Sequence, residues 1–331
     1  MPLELVAWEH PDALRLRLAQ QAELRERYGE DDLGHDMPGD DIAAMVVLYD
    51  DAGGALACGA LRAGGDLEPG TGELKRLFVA PAHRGRGHAR TVLLDLEARA
   101  ERLGLTRLIL ETGPRQPEAI GLYLSAGYAP TDAYGEYVGL VDSRCFAKDL
   151  RPVPGLRRRS SDRAVVSVEI ERVRWDDDDA ARLRRRMYTQ FNAPTYPDLR
   201  EAVEAAGGFE VDDAAQGVGE LATWVARIDG RAVGCLSLRA PRDGHPAGSA
   251  ELKKLYVEAD ARGAGVSKRL LDAAEAHARE LGYERLVLQT GMRQPEAVGL
   301  YTVTGWRPIV PFPPYDDDVR SLVFGKELVG R

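Results

Sequence analysis

Two short segments hold residues whose types and spacing suit a phosphate-bearing ligand. They are Arg84, Gly85, Arg86, Gly87, His88 and Ala89, and Arg262, Gly263, Ala264, Gly265, Val266 and Ser267. Each follows an apolar strand-like run and precedes a run with helical spacing. A turn that opens a helix leaves backbone N–H groups without intrahelical partners, and the helix dipole adds positive potential there. Glycines let the backbone approach an anion closely, and arginines add charge and forked donors. A pyrophosphate suits such a turn. For one copy, an ordinary strand-to-helix turn explains the pattern equally well. Two copies, each starting 11 residues after a Glu-Leu-Lys (84−73 = 262−251 = 11), weigh against that reading. There is no G-x-x-x-x-G-K-[ST], and no G-x-G-x-x-G opening a Rossmann unit.

The two copies belong to a larger repeat. Residues 73–150 align with 251–328 at a constant offset of 178 (251−73 = 328−150 = 178), without a gap and with close to half the positions identical. ETGPRQPEAIGLY at 111–123 matches QTGMRQPEAVGLY at 289–301. A period of this length is a whole domain, not a solenoid unit. Upstream, ALACGALR at 55–62 resembles AVGCLSLR at 232–239, and Trp8 and Trp175 each precede a helix-like stretch. The expected organisation is one domain at 1–150, an exposed Pro-, Gly-, Ser- and Arg-rich linker at 151–165, and a second domain at 166–331. The triple arginine at 157–159 reads as solvated linker in an acidic chain.

Within the first half the pattern predicts a helix at 12–28, a hairpin of strands at 42–50 and 55–62, and a long strand at 72–80. An amphipathic helix ending at Gly104, a buried strand at 106–112, a short helix from Pro117 and closing strands follow. The second half is expected to repeat this order. Its acidic-then-basic run at 176–187 reads as complementing a helix dipole. Asp316, Asp317 and Asp318 read as a solvated loop.

The sequence ELKRLFVAPAHRGRGHARTVLLDLEARAERLG, followed by LILETGPRQPEAIGLYLSAGY, resembles the GNAT superfamily of N-acetyltransferases, and the second half carries the same pattern. The resemblance covers 73–150 and 251–328; the earlier part of each half fits only in element order. It implies an α/β fold in which each domain is a twisted mixed β-sheet flanked by helices. It also implies acetyl-CoA held where two parallel strands splay apart. Carried over, the backbone of Leu77, Phe78 and Val79 pairs with the pantetheine arm and Arg84 to Ala89 hold the pyrophosphate. Leu255, Tyr256 and Val257, with Arg262 to Ser267, do so in the second half. Ser267 departs from the small Gly or Ala preferred there, which implies weakened binding.

The implied reaction is direct attack of a primary amine of a small molecule or peptide on the thioester, within a ternary complex. Tyr123 and Tyr301 match the family's tyrosine that protonates the departing thiolate. An isolated tyrosine on an amphipathic helix would read as packing. Glu73 and Glu251 open the strand beside the cofactor and are the base candidates, with an exposed strand carboxylate as the plain alternative. Glu111 is Gln289 in the second half, which argues against it as a shared base. A CoA-binding sensor or scaffold, with one or both domains non-catalytic, is the rival; both halves keep the loop and the tyrosine.

Composition sets the remaining bounds. There are 44 Lys and Arg against 53 Asp and Glu, a formal charge of −9, which argues against nucleic acid as the partner. Cys58, Cys145 and Cys235 lie in apolar runs without C-x-x-C spacing and read as buried thiols in a reducing compartment. Neither a signal-peptide core nor a membrane span is evident, so a cytoplasmic protein is expected, as a monomer with a pseudo-two-fold domain pair or a homodimer. His35, His83 and His88 have no metal-ligand spacing, and no metal is expected.

Overall fold

A computed structural model describes residues 1–29, 39–150 and 167–328. The expected linker and His35 lie outside the described residues. The chain divides into two compact units, Met1–Arg157 and Arg158–Arg331.

The first unit runs β1 (Leu3–Val6), α1 (Pro11–Tyr28), β2 (Ile42–Tyr49), β3 (Ala55–Ala63), β4 (Thr71–Val79), α2 (His88–Arg102), β5 (Arg107–Thr112), α3 (Pro117–Ser125), β6 (Ala129–Pro130) and β7 (Arg144–Asp149). Its strands form one mixed sheet in the order β1-β2-β3-β4-β5-β7-β6. Only β4 and β5 pair parallel, and α2 is their crossover. The β2–β3 turn is held by Asp50, whose Oδ1 accepts from the amides of Ala52 and Gly54 at 2.9 and 2.7 Å. Val92, Leu93, Leu96 and Ala100 form the buried stripe of α2. Glu97, on the same helix, takes a hydrogen bond from Lys148 of β7 at 2.7 Å.

The second unit runs β8 (Glu169–Val173), α4 (Asp178–Met187), α5 (Ala193–Thr195), α6 (Pro197–Ala205), α7 (Phe209–Gln216), β9 (Glu220–Ile228), β10 (Arg231–Arg239), β11 (Ser249–Val257), α8 (Val266–Glu280), β12 (Arg285–Gly291), α9 (Pro295–Val303), β13 (Arg307–Pro308) and β14 (Ser321–Glu327). Its sheet has the matching order, β13-β14-β12-β11-β10-β9-β8. Lys326 and Glu275 repeat the helix-to-strand bond at 2.6 Å. No helix among the described residues is long and apolar enough to cross a membrane.

Two features depart from the sequence reading. Short β1 and β8 extend the two sheets, and four or five residues carry too little pattern to announce a strand. The second half also does not simply repeat the first. Where α1 runs for 18 residues, α4 passes through a π-helical stretch at Tyr188–Asn192 directly into α5, and α6 and α7 are added before β9. Tyr196 leaves the helical conformation (φ −128°), Pro197 opens α6, and Gly207 and Gly208 (φ 109° and 93°) separate α6 from α7.

The tryptophans before α1 and α4 have a shared role. Arg17 stacks on Trp8 at 3.5 Å and donates to its carbonyl at 2.8 Å. Arg184 does the same with Trp175, at 3.9 and 2.8 Å. Arg184 is also buried and bonds Asp213 of α7 through Nε and a terminal nitrogen, each at 2.8 Å. The basic run of α4 is thus partly a packing device, beyond its dipole.

Tyr28 ends α1 with its hydroxyl accepting the Arg115 amide at 3.0 Å; Tyr196 accepts that of Arg293 at 3.2 Å. Both hydroxyls press on the glycine that follows the β5 or β12 threonine. A Cβ on Gly113 or Gly291 would lie 1.9 Å from that oxygen. Gly113→Ala is therefore expected to displace Tyr28 and cost about 1–3 kcal/mol, seen as a lower Tm in calorimetry. Adding Tyr28→Phe, which removes the clashing oxygen, should recover part of the loss.

Candidate active site

The parallel strands pair only at their start. β4 and β5 are in register from Thr71 opposite Arg107 to Leu74 opposite Leu110, then part, while β4 runs on to Val79. β11 and β12 pair from Ser249 opposite Arg285 to Leu252 opposite Leu288, and β11 runs on to Val257. Leu77, Phe78 and Val79, and Leu255, Tyr256 and Val257, thus lie beyond the parallel ladder.

A bulge makes the parting. Arg76 and Lys254 sit at φ 58° and 60°, a strained region for residues with a Cβ. Between the Cys58–Phe78 and Ala60–Lys75 pairs, β4 has two residues against one on β3; β11 and β10 repeat this between Cys235–Tyr256 and Ser237–Lys253. The Cys58 thiol donates to the Arg76 carbonyl, and the Cys235 thiol to that of Lys254, both at 3.5 Å. Burial pushes each of these thiols up to about 12, so both stay protonated donors at neutral pH. Cys145 is likewise buried, and all three cysteines are free.

The glycine turns sit where expected. Gly87 and Gly265 are the residues before α2 and α8, at φ 83° and 80°, and no side chain caps either helix. The amides of each first turn therefore have no intrahelical acceptor. A Cβ on either glycine would meet nothing within 4 Å, so the space in front is open. Arg84, Gly85, Arg86 and Gly87 are exposed, and Ala89 is half-buried. The side chains of His88 and Val266 are buried, leaving only their amides to face a ligand. Arg84 braces the loop: it donates to the Val79 carbonyl at 3.0 Å and to the Glu23 carboxylate at 3.1 and 2.5 Å. Arg262 donates likewise to Val257 at 3.2 Å. Arg86 has no side-chain partner among the described residues and is the available guanidinium; its counterpart is Ala264.

Tyr123 and Tyr301 are buried on α3 and α9, edge-on to Tyr128 and Trp306 at 5.8 Å. Neither hydroxyl donates a hydrogen bond within the described residues. Burial pushes both phenols up, with the Glu111 charge adding to the effect at Tyr123. Both hold their proton throughout the neutral range.

Glu73 and Glu251 are not the exposed strand carboxylates of the plain alternative. Glu73 is buried beneath Arg62 at 3.0 Å and Lys75 at 3.1 Å, and Tyr134 donates to it at 2.9 Å. Glu251 is enclosed by Arg239, by Lys253 at 3.4 Å, by His245 at 3.2 Å and by Tyr315, which donates at 2.6 Å. Burial raises the Glu251 carboxyl, but Lys253 and Arg239 outweigh it and bring it down to about 2. A carboxylate that acidic is a weak proton acceptor, a difficulty for the base role expected from its position. These surrounding residues were not singled out from sequence. The identical Tyr137 and Tyr315, 178 positions apart, carried that signal.

The low Glu251 value has a consequence for stability. A carboxyl depressed in the folded state contributes stability present above its unfolded value, near 4.3, and lost as pH falls towards 2. The contribution is about 3 kcal/mol. Denaturant titrations between pH 5 and pH 2.5 should show the second unit weakening over that window. Glu251→Gln should flatten the slope; an unchanged slope would show that other groups carry it.

In the first unit a cleft of about 600 Å³ opens above Glu73. Asp66, Leu67 and Glu68 line one side, and Thr131, Asp132, Tyr134, Glu136 and Tyr137 the other. Its lining holds six carboxylates (Asp41, Asp66, Glu68, Glu73, Asp132, Glu136) against three cations (Arg62, Lys75, Arg107). Asp318 is different from a solvated loop residue: it ties the segment before β14 by accepting from Arg320 at 2.8 Å and Ser321 at 2.7 Å. No group of three metal-ligating side chains occurs among the described residues.

A family model described as "Acetyltransferase (GNAT) family" matches residues 6–128 and again 181–306. An IAA acetyltransferase of Azospirillum brasilense is 38% identical over 104 residues, 31% of this chain and 66% of that protein. A mycothiol acetyltransferase of Geodermatophilus obscurus is 30% identical over 301 residues, covering 87% of this chain and 84% of that one. A crystal structure of a putative acyl-CoA N-acyltransferase from Klebsiella pneumoniae is 30% identical, with a TM-score of 0.40, and covers 45% of this chain and 97% of that one. The chain spans between about half and two thirds of the length of three microbial relatives that match one segment. The chain belongs to the acetyltransferase (GNAT) family, whose pattern it carries twice.

Proposed function

We propose that the protein transfers an acetyl group from acetyl-CoA to a primary amine of a small molecule or peptide, by direct attack in a ternary complex. The observation that carries this is the parting of β4 from β5 beyond Leu74, with the uncapped start of α2 nearby. The pantetheine arm would lie along Leu77 to Val79, and the diphosphate on the amides of residues 85–89 with Arg86. Leu255 to Val257 and Arg262 to Ser267 are the corresponding sites in the second unit. We take 1–150 and 166–331 as the two domains and 151–165 as their linker. The three buried free thiols suit a reducing compartment such as the cytoplasm.

In the transfer, the ammonium group first gives one proton to water; the neutral amine nitrogen then bonds the thioester carbonyl carbon and the C–S bond breaks. The thiolate takes the hydroxyl proton of Tyr123. The second proton, lost by the nitrogen after attack, passes through water and replaces the one the tyrosine gave. Amides freed by the β4 bulge would stabilise the oxyanion. Glu73, which sequence position offers as the base, acts here by charge, drawing an ammonium group into a cleft with twice as many carboxylates as cations. That balance favours a cationic acceptor.

The direct test is calorimetry with acetyl-CoA. Two equivalents per chain are expected, and stabilisation of about 2.7 kcal/mol at 100 times Kd. Absence of binding at millimolar cofactor would remove the reading.

A further inference from the structure

The two units treat their acceptor sides differently. In the first, the loop after β3 and the loop after β6 stand apart and line the open cleft. In the second, the equivalent loops meet. A Cβ on Gly244 would lie 2.9 Å from the ring of Pro313. One residue on, the His245 side chain is fully buried, packs on Phe312 with ring centroids 4.7 Å apart and reaches Glu251 at 3.2 Å.

The exchange is concerted. By the 178-residue offset Phe312 stands for Tyr134, while His245 lies in the loop between β10 and β11, which is longer than the loop between β3 and β4. Phe312 lacks the hydroxyl that Tyr134 gives to Glu73; Tyr315 supplies Glu251 instead, and His245 adds a further contact. The apolar neighbours Val287, Val323 and Ile309 complete a packed cluster around Phe312 and Tyr315. An amine approaching Glu251 would have to displace that cluster. The cofactor side is unaffected, because Gly265 and the parting of β11 from β12 match the first unit.

We propose that acceptor amines are acetylated in the first unit only, and that His245, seated on Phe312 over Glu251, closes the acceptor side of the second, which still binds CoA. This rests on the acetyl-transfer reading above. The bond changes are those already given: C–N formation and C–S cleavage, with the thiolate protonated by Tyr123 and the amine proton passing to water.

The test uses the full chain with acetyl-CoA and spermidine as the probe amine, following released thiol. Gly87→Glu is expected to lose at least about 100-fold in turnover while one equivalent of CoA still binds, which also shows that the variant is folded. Retention of half the turnover with one equivalent bound overturns the proposal. If the unaltered chain does not acetylate spermidine, the cationic-acceptor reading falls, and diethyl pyrocarbonate labelling decides the closure by itself. His245 should then react at least tenfold more slowly than the half-buried His83. Equal rates would overturn it.

Discussion

Tyr123→Phe is expected to lower turnover by about 10²- to 10⁴-fold, the usual worth of a placed acid, with the affinity for acetyl-CoA close to that of the unaltered chain. The ring stays, so the edge-on contact with Tyr128 and the burial of α3 survive. Only the hydroxyl is lost, and it donates to nothing within the described residues, so no partner is stranded. The phenol is held protonated by burial and by the Glu111 charge. The acidic side of the pH–rate profile should therefore be the same in both proteins. KM for acetyl-CoA should move little, because the hydroxyl matters once charge develops on sulfur. A variant with unchanged turnover would mean that solvent protonates the thiolate. Tyr301→Phe asks the same of the second unit: a comparable loss there would put chemistry in both halves, against the closure by His245 and Phe312.

What the sequence disclosed was chiefly what is repeated. The loop glycines, the Glu-Leu-Lys strands and the two helix tyrosines occur twice at one spacing, and the structure gives both copies matching backbone settings. The splay of β4 and β5 is implied only by the family resemblance. Its local cause, a bulge with a left-handed Arg76 held by the Cys58 thiol, leaves no mark in composition or periodicity. The environment of Glu73 and Glu251 was also hidden. A strand position can announce that a carboxylate faces the site, but not that Arg62 or Arg239 folds over it from the neighbouring strand. Arg84 illustrates the same limit. Its type and position suit a phosphate, yet Glu23, 61 positions earlier, holds the guanidinium. The difference between the two acceptor sides is written in Phe312 against Tyr134 and in His245 of the longer loop before β11. Its meaning lies in the loops, which meet in one unit and stand apart in the other.

Gly87→Glu and Gly265→Glu should each remove one of the two CoA equivalents, and the double variant should bind none. The argument is electrostatic before it is steric. Each glycine precedes a helix whose first amides have no capping side chain, so the local potential favours an anion. A carboxylate placed there would cap those amides itself and repel the diphosphate. At about 4 Å, with an effective dielectric near 20, the repulsion is about 4 kcal/mol per charge pair, enough for roughly a thousandfold loss of affinity. The fold should tolerate the change. The new side chain points into open space, and its left-handed φ costs about 1–2 kcal/mol. A Tm lower by a few degrees without ligand, together with loss of the ligand-induced rise from the altered unit, is the expected pattern in calorimetry. The second unit offers a finer comparison, since Ala264 stands where the first has Arg86 and Ser267 where it has Ala89. With one guanidinium fewer, its equivalent should be the weaker of the two. Arg86→Ala should bring the first site down towards it, by about 1.5–3 kcal/mol for a charge-assisted contact. Wild-type affinity in either glutamate variant would show that the diphosphate lies elsewhere.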